Sequence, residues 1–178
     1  MSIDTTRAST LPVDARDLAN YILDVADVNC STISNLALQK ILYFCHANFL
    51  VHFDTPLFHN PIEAWRFGPV VRSVYETFRV FGREPITARA LHLDPLDGRV
   101  FVVPFRPAAD AKYFLENVIS AYSKMDAFAL ACLTHEQDGP WSAALEAYGT
   151  TANVGLRIED DLIRERFCKS KARIIHMI

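Results

Sequence analysis

Residues 36–78 read LALQKILYFCHANFLVHFDTPLFHNPIEAWRFGPVVRSVYETF, and this stretch decides the fold. Its first part is almost wholly apolar, and its apolar side chains recur at helical spacing, which predicts a helix over about residues 34–53. A helix that is apolar over most of its surface needs other elements on all its sides. The sequence therefore predicts one central, buried helix around which the rest of the chain packs.

Proline and glycine divide the second part of this stretch. Pro56 is expected to end the central helix, because proline disfavours helical geometry in the residue before it. Residues 61–67 alternate in character and are predicted to be extended. Gly68-Pro69 then predicts the start of a second helix, with proline at the first helical position, where its missing N–H costs nothing. Gly82 is placed to end that helix.

Further helices are predicted over about residues 15–27, 107–124, 126–134, 140–149 and 159–169. The dipeptide Asp97-Gly98 predicts a tight hairpin turn between two strands, one over residues 86–93 and one over residues 99–103. The predicted fold is mainly α, a compact single-domain helical bundle around a central apolar helix, with one small β-hairpin. Residues 1–12 are predicted to be a disordered tail, and residues 13–178 to form the helical domain.

Composition narrows the classes of function. Hydrophobic residues make up 51% of the chain, which is typical of a globular protein. The net charge of −3 argues against a nucleic-acid partner, because phosphate contacts need a concentrated basic face. The basic residues after Leu162 are expected to be solvated surface, with a docking patch for an acidic partner as the alternative. No signal peptide and no membrane contact are predicted, since no apolar run approaches about 18 residues.

The cysteines are widely separated, and none belongs to a CxxC pair. Cysteines in such a pattern are typical of free thiols in a reducing compartment. The sequence therefore predicts a cytoplasmic protein without disulfide bonds, with its thiols at Cys30, Cys45, Cys132 and Cys168.

No catalytic or metal-binding motif is present in the sequence. The six histidines form neither an HExxH motif nor a cluster with cysteine, and no GxG or GKS/T loop is present to hold phosphate. Cys45 and His46 are adjacent, but neighbouring side chains on a helix point about 100° apart. Cys45 is therefore expected to face the core and His46 to face away from it, which disfavours a nucleophile–base pair. We predict no enzyme activity, no metal site and no cofactor.

Polar residues on the less apolar arc of the central helix have two interpretations. Gln39, Lys40, Tyr43 and His46 are either structural groups or part of a binding edge. We favour the structural interpretation, in which buried polar groups find hydrogen-bond partners. Glu63 is the natural partner for Lys40 or Tyr43.

The string Thr134-His135-Glu136, followed by Pro140-Trp141, has the same two interpretations. The structural one is a helix end with a tryptophan packed on the core. In the functional one, His135 and Trp141 belong to a binding edge.

Trp65, Arg66 and Phe67 form the candidate partner-binding segment. They lie between two prolines, and a segment that is already ordered loses little entropy on binding. Trp and Arg are enriched at interface hot spots. A core position for Trp65 is an equally good interpretation. Arg66 is expected to point to the opposite side of the extended segment. The alternative docking face carries Arg72 and Arg79.

Four strings in this order and spacing resemble the Panacea antitoxin domain family, also called SocA-like or GepA-like, over roughly residues 18–168. They are residues 38–44 (LQKILYF), 56–58 (PLF) with 61–71 (PIEAWRFGPVV), 133–136 (LTHE) with 140–141 (PW), and 158–167 (IEDDLIRERF). The positions carrying this pattern include Gln39, Lys40, Tyr43, Glu63, Gly68, Pro69, Tyr75, His135 and Trp141.

This resemblance implies an antitoxin of a bacterial or phage-associated toxin–antitoxin system. Members of the family neutralise a cognate toxin protein by protein–protein contact, and the SocA branch is associated with delivering the toxin to an ATP-dependent protease as an adaptor. The family has no established catalytic site to carry over. Two other functions stay open, a DNA-binding autoregulator of its own operon and a small enzyme on a helical scaffold.

Overall fold

The computed structural model describes residues 8–148, 155–170 and 172. Within these residues the chain forms seven α-helices and two small antiparallel two-stranded sheets, which confirms the mainly α prediction. In chain order the elements are α1 (Ala15–Val28), α2 (Asn35–Phe53), β1 (Ile62–Trp65), β2 (Gly68–Val71), α3 (Arg72–Phe78) with a 3-10 turn (Arg79–Phe81), β3 (His92–Leu93), β4 (Val100–Phe101), α4 (Ala109–Tyr122), α5 (Ala127–Thr134), α6 (Pro140–Ala147) and α7 (Asp160–Phe167).

Helix α2 is the centre of the molecule, as its apolar sequence predicts. It packs against α1, α4, α5, α7 and β2, and nearly all its side chains from Ala37 to Leu50 are buried. Ser34 caps its first turn by accepting a hydrogen bond from the Ala37 N–H. Asp54, with a left-handed φ of 54°, ends it. The helix that decides the fold is therefore surrounded on all sides.

The helices predicted over about residues 15–27, 107–124, 126–134, 140–149 and 159–169 are also present, as α1, α4, α5, α6 and α7. Asp14 caps α1 and Asp126 caps α5, each by accepting backbone N–H groups of the first turn. Pro140 is the first residue of α6. The predicted end of α6 at Gly149 lies outside the described residues.

The prediction of a helix beginning at Gly68-Pro69 is wrong. Residues Gly68–Val71 form strand β2, which pairs with β1 so that Trp65 lies opposite Gly68, and the helix begins only at Arg72. Gly68 has φ +93°, outside the helical region. Proline is tolerated here because its missing N–H is not needed in the ladder, where the N–H position points away from β1. Gly82, with φ +56°, follows the 3-10 turn and ends the helical segment as predicted.

The hairpin at Asp97-Gly98 exists, but its strands have only two residues each. Several apolar side chains of this segment, among them Leu93 and Val100, are exposed instead of packing on the bundle. The sequence therefore predicted the position of the turn correctly, but the predicted strands were too long.

Three further sequence predictions concern the ends and the cysteines. Of the tail predicted over residues 1–12, residues 1–7 lie outside the described residues, and Ser9 exchanges two hydrogen bonds with Arg106. In the described part of the chain, no helix is long and apolar enough to cross a bilayer. Among the described residues, none of the four cysteines forms a disulfide bond.

Candidate functional site

An apolar groove of about 450 Å³ lies where the first turn of α2 meets the β1–β2 turn and the end of α3. Leu36, Trp65, Phe67, Val70 and Tyr75 supply most of its apolar surface. Its polar and charged lining consists of Asn35, Gln39, Arg66 and Arg79, and Gly82 closes one end. We call this feature the hairpin groove.

The charges of the hairpin groove have one sign. Arg66 and Arg79 are its charged residues, and no carboxylate lines it. Arg66 makes no ion pair within the described residues, and its guanidinium lies 5.6 Å from the centre of the Phe67 ring. Arg79 is paired with Glu76 at 2.8 Å, but both side chains are exposed. The groove therefore offers apolar surface and cationic groups together.

Two consecutive residues of α2 occupy the outer edge of β2. The side-chain oxygen of Gln39 accepts a hydrogen bond from the Val71 N–H at 2.9 Å. The ammonium of Lys40 donates to the Pro69 carbonyl at 2.9 Å. Side chains of the central helix thus take the place of a third strand and hold the groove wall against the core.

The outer edge of β1 is also occupied. The Ala64 N–H donates to the Leu156 carbonyl at 2.7 Å, and the Ile158 N–H donates to the Ile62 carbonyl at 2.8 Å. Because neither edge of the β1–β2 sheet is open, the sheet is not available to an added strand.

Lys40 is fully buried beneath the hairpin. A Cβ built on Gly68 would lie 2.9 Å from the Lys40 Nζ and 2.3 Å from the Thr134 Oγ1, so only glycine allows β2 to approach α2 and α5 this closely. Burial lowers the pKa of Lys40 to about 7. The ammonium has Pro69 as its hydrogen-bond acceptor, so its burial is only partly compensated.

Glu63 is not the partner of Lys40 or Tyr43 that the sequence suggested. Its carboxylate accepts hydrogen bonds from the Trp65 indole N–H at 2.7 Å and from the Gly155 N–H at 2.8 Å. The Trp65 ring, half-buried, meets Tyr75 edge-on at 5.0 Å. Tyr43 is buried away from the groove, where its ring packs edge-on against Phe167. Glu63 therefore orients the groove tryptophan.

The corner between α5 and α6 also contacts the β1–β2 turn. The Trp141 indole N–H donates to the Trp65 carbonyl at 3.0 Å, and the His135 ring meets Trp141 edge-on at 4.1 Å. Burial, and then the charge of Lys40, lowers the pKa of His135. The distant strings at residues 38–44, 61–71 and 133–141 thus converge on one hairpin.

Most of the sequence-predicted partner residues lie together. Trp65, Arg66, Phe67 and Arg79 all line the hairpin groove. Arg72 is exposed but does not line it. Sequence reasoning missed Leu36, which is 38% exposed at the start of a helix whose middle is buried. Its position in the first turn was the signal.

The expectation that His46 faces away from the core is wrong. Cys45 and His46 are both buried, because α2 is covered on every side. The His46 Nε2 lies 2.9 Å from the Asp160 Oδ1 of α7, and this contact is the main cause of a lowered Asp160 pKa. Burial raises the pKa of the Cys45 thiol. Among the described residues, no group of three or more His, Cys, Asp or Glu side chains is arranged to hold a metal ion.

Comparison with known proteins identifies a family whose model covers most of the groove-lining residues, from Gln39 to Gly82. The sequence profile described as "Antitoxin SocA-like, Panacea domain" matches residues 38–142. A curated relative, Antitoxin SocA of Caulobacter vibrioides (strain NA1000 / CB15N), is 40% identical over 162 residues, which cover 91% of this chain and 86% of the relative. No solved structure matches the chain.

Proposed function

Because the chain belongs to the SocA-like antitoxin family with a Panacea domain, we propose that it neutralises one cognate toxin protein by binding it directly. The observation that carries this proposal is the 40% identity to an antitoxin over 91% of the chain. The aligned region spans almost the whole chain, so the similarity is not confined to one short segment.

The geometry supports binding at this groove. Its wall is fixed by a hydrogen bond that Gln39 accepts and by two that Lys40 and Trp141 donate, so little ordering entropy is lost when a partner docks. Phe67 is 63% exposed at the lip, and Trp65 forms a half-buried wall. Aromatic and arginine side chains in such a setting are the residue types that dominate binding energy at interfaces. We assign toxin contact to Trp65, Arg66, Phe67 and Arg79, with Arg72 beside them.

Neutralisation has two modes, sequestration and delivery of the bound toxin to an ATP-dependent protease. We propose delivery as the second step, acting in the cytoplasm, where four free thiols are stable. The two modes differ in one measurable quantity, the half-life of the toxin. Delivery shortens the toxin half-life when the antitoxin is present, and deletion of the protease restores it. Sequestration leaves the half-life unchanged or lengthens it.

The test uses the protein encoded by the neighbouring reading frame as the candidate toxin. It is expressed alone and with this chain, and growth and co-purification are measured. The proposal predicts arrested growth, rescue by this chain, and a stable complex of the two proteins in a strain that lacks the protease. Rescue without any complex, or a complex without rescue, would contradict it.

A further inference from the structure

We propose that the hairpin groove binds one amphipathic helix of the toxin, with an acidic side chain of that helix held between Arg66 and Arg79. This inference deepens the proposed function and rests on it. It names the chemistry of the segment bound, an apolar face with a carboxylate beside it.

The charge of the groove selects this segment. The groove has an apolar floor of Leu36, Val70 and Tyr75, and its two charged residues are both arginines. Arg66 has no acidic partner within the described residues, and its exposed guanidinium lies over Phe67. An arginine beside an apolar pocket binds a carboxylate through parallel hydrogen bonds. The complementary segment therefore presents apolar side chains and at least one Asp or Glu.

The hydrogen bonding of the β1–β2 sheet excludes an added strand. Gln39 and Lys40 occupy the outward-facing backbone groups of β2, and residues 156–158 occupy those of β1. A strand that docked beside the hairpin would leave its own backbone groups without partners. A helix satisfies its backbone internally and binds through side chains alone, so it fits a groove that offers side chains only.

The first test removes apolar surface without disturbing the fold. Leu36 is the second residue of α2, where an aspartate is favoured by the helix dipole. Leu36→Asp therefore removes groove surface and places a negative charge beside the expected carboxylate. Phe128→Asp is the matched control, because Phe128 is the second residue of α5, is 76% exposed and does not line the groove.

The second test addresses the charge. Arg66→Glu reverses the unpaired groove arginine, and Arg99→Glu, at a residue outside the groove whose side chain is 77% exposed, makes the same change in net charge. Binding to the purified neighbouring-frame protein is measured by calorimetry at low and high salt, and the thermal midpoint of each free variant is recorded. A set of Asp→Arg and Glu→Arg variants of the toxin is then titrated with the Arg66→Glu chain.

The inference predicts that Leu36→Asp and Arg66→Glu each raise Kd by about tenfold or more, while both controls stay within about twofold of wild type. Salt should weaken the wild-type complex more than the Arg66→Glu complex. One toxin variant in a helix should restore affinity to Arg66→Glu.

Wild-type affinity in both groove variants would overturn the groove assignment while leaving the proposed function standing. Loss of affinity in a control variant, Phe128→Asp or Arg99→Glu, with no loss in the groove variants would also overturn it and place the interface elsewhere. A change in oligomeric state of the free Leu36→Asp chain, seen by light scattering, would show a second copy of this chain as the occupant instead. No binding by the wild-type chain would contradict the proposed function itself.

Discussion

Replacing the buried lysine under the hairpin is the change whose effect follows most directly from the structure. Lys40→Met keeps an unbranched side chain, shorter by one heavy atom, and removes its charge. At neutral pH two effects oppose each other in the variant. The Pro69 carbonyl loses its donor, at a cost of about 1–3 kcal/mol, and the burial of an ammonium group is relieved.

The pH dependence of the free energy of unfolding separates these effects. Burial lowers the pKa of Lys40 from 10.5 to about 7 in the folded protein, so unfolding takes up a proton between these two values. The free energy of unfolding then rises with pH in that window, by about 1.4 kcal/mol per pH unit once the folded lysine is neutral. The lysine is about half neutral at pH 7. Between pH 7 and about 8.5, the free energy of unfolding of wild type should therefore rise by about 1.5 kcal/mol more than that of Lys40→Met.

The assay is denaturant unfolding of both proteins at several pH values in this window. Unfolded cysteine thiols also titrate there, but they are common to both proteins and cancel in the difference. Burial, and then the charge of Lys40, lowers the pKa of His135 below 6.5 and so moves it away from this window. Parallel stability curves for the two proteins would refute the reasoning, because they would show a solvated Lys40 with an ordinary pKa.

Three further changes test the fold and the cysteines. Phe49 is only 2% exposed, and Phe49→Asp should unfold the chain. An uncompensated buried charge costs several kcal/mol, against a total stability of about 5–15 kcal/mol. A variant that is folded by circular dichroism would contradict the central place of α2. Gly68→Ala should lower the melting temperature far more than Gly82→Ala. Both glycines have positive φ, but of the two only Gly68 has atoms within 4 Å of the new Cβ. Equal decreases in melting temperature would show that the close approach is not the cause. Alkylation of the native protein should modify the exposed Cys30 and Cys132 before the buried Cys45, whose thiol pKa is raised by burial, and equal labelling by mass spectrometry would contradict that burial.

The parts of the fold that the sequence predicted are those fixed by local chemistry. Asp14 and Asp126 cap helices through side chains that reach their own first turns, so a short string suffices to find them. The central position of α2 follows from its apolar content, since such a helix has no face for solvent.

The β1–β2 hairpin was missed because distant residues decide it. Gly68-Pro69 fits a helix start as well as a strand edge, and the choice depends on Lys40 and Thr134, which lie against Gly68 in the folded chain. The sequence placed Glu63 near the polar residues of α2, but its partners are Trp65 and the Gly155 backbone, and no local spacing reveals a contact across 92 residues.

The sequence could predict only part of the lining of the hairpin groove, because distant residues also form it. Trp65, Arg66 and Phe67 are adjacent in the chain, so their composition alone indicates a binding segment. Leu36 and Arg79 join them only through the packing of α2 and α3 around the hairpin. The residues that hold the groove in place, Lys40 and Trp141, act through tertiary hydrogen bonds.

The most direct measurement of the central claim is hydrogen–deuterium exchange followed by mass spectrometry. The chain is compared free and in the presence of the candidate toxin, the protein encoded by the neighbouring reading frame. Direct neutralisation through the hairpin groove predicts slower exchange on binding in the β1–β2 turn at Arg66 and Phe67, and in the segment from Arg79 to Gly82. The exposed hairpin of β3 and β4 should be unchanged. Protection confined to β3 and β4, or unchanged exchange throughout the chain at saturating toxin, would contradict the account.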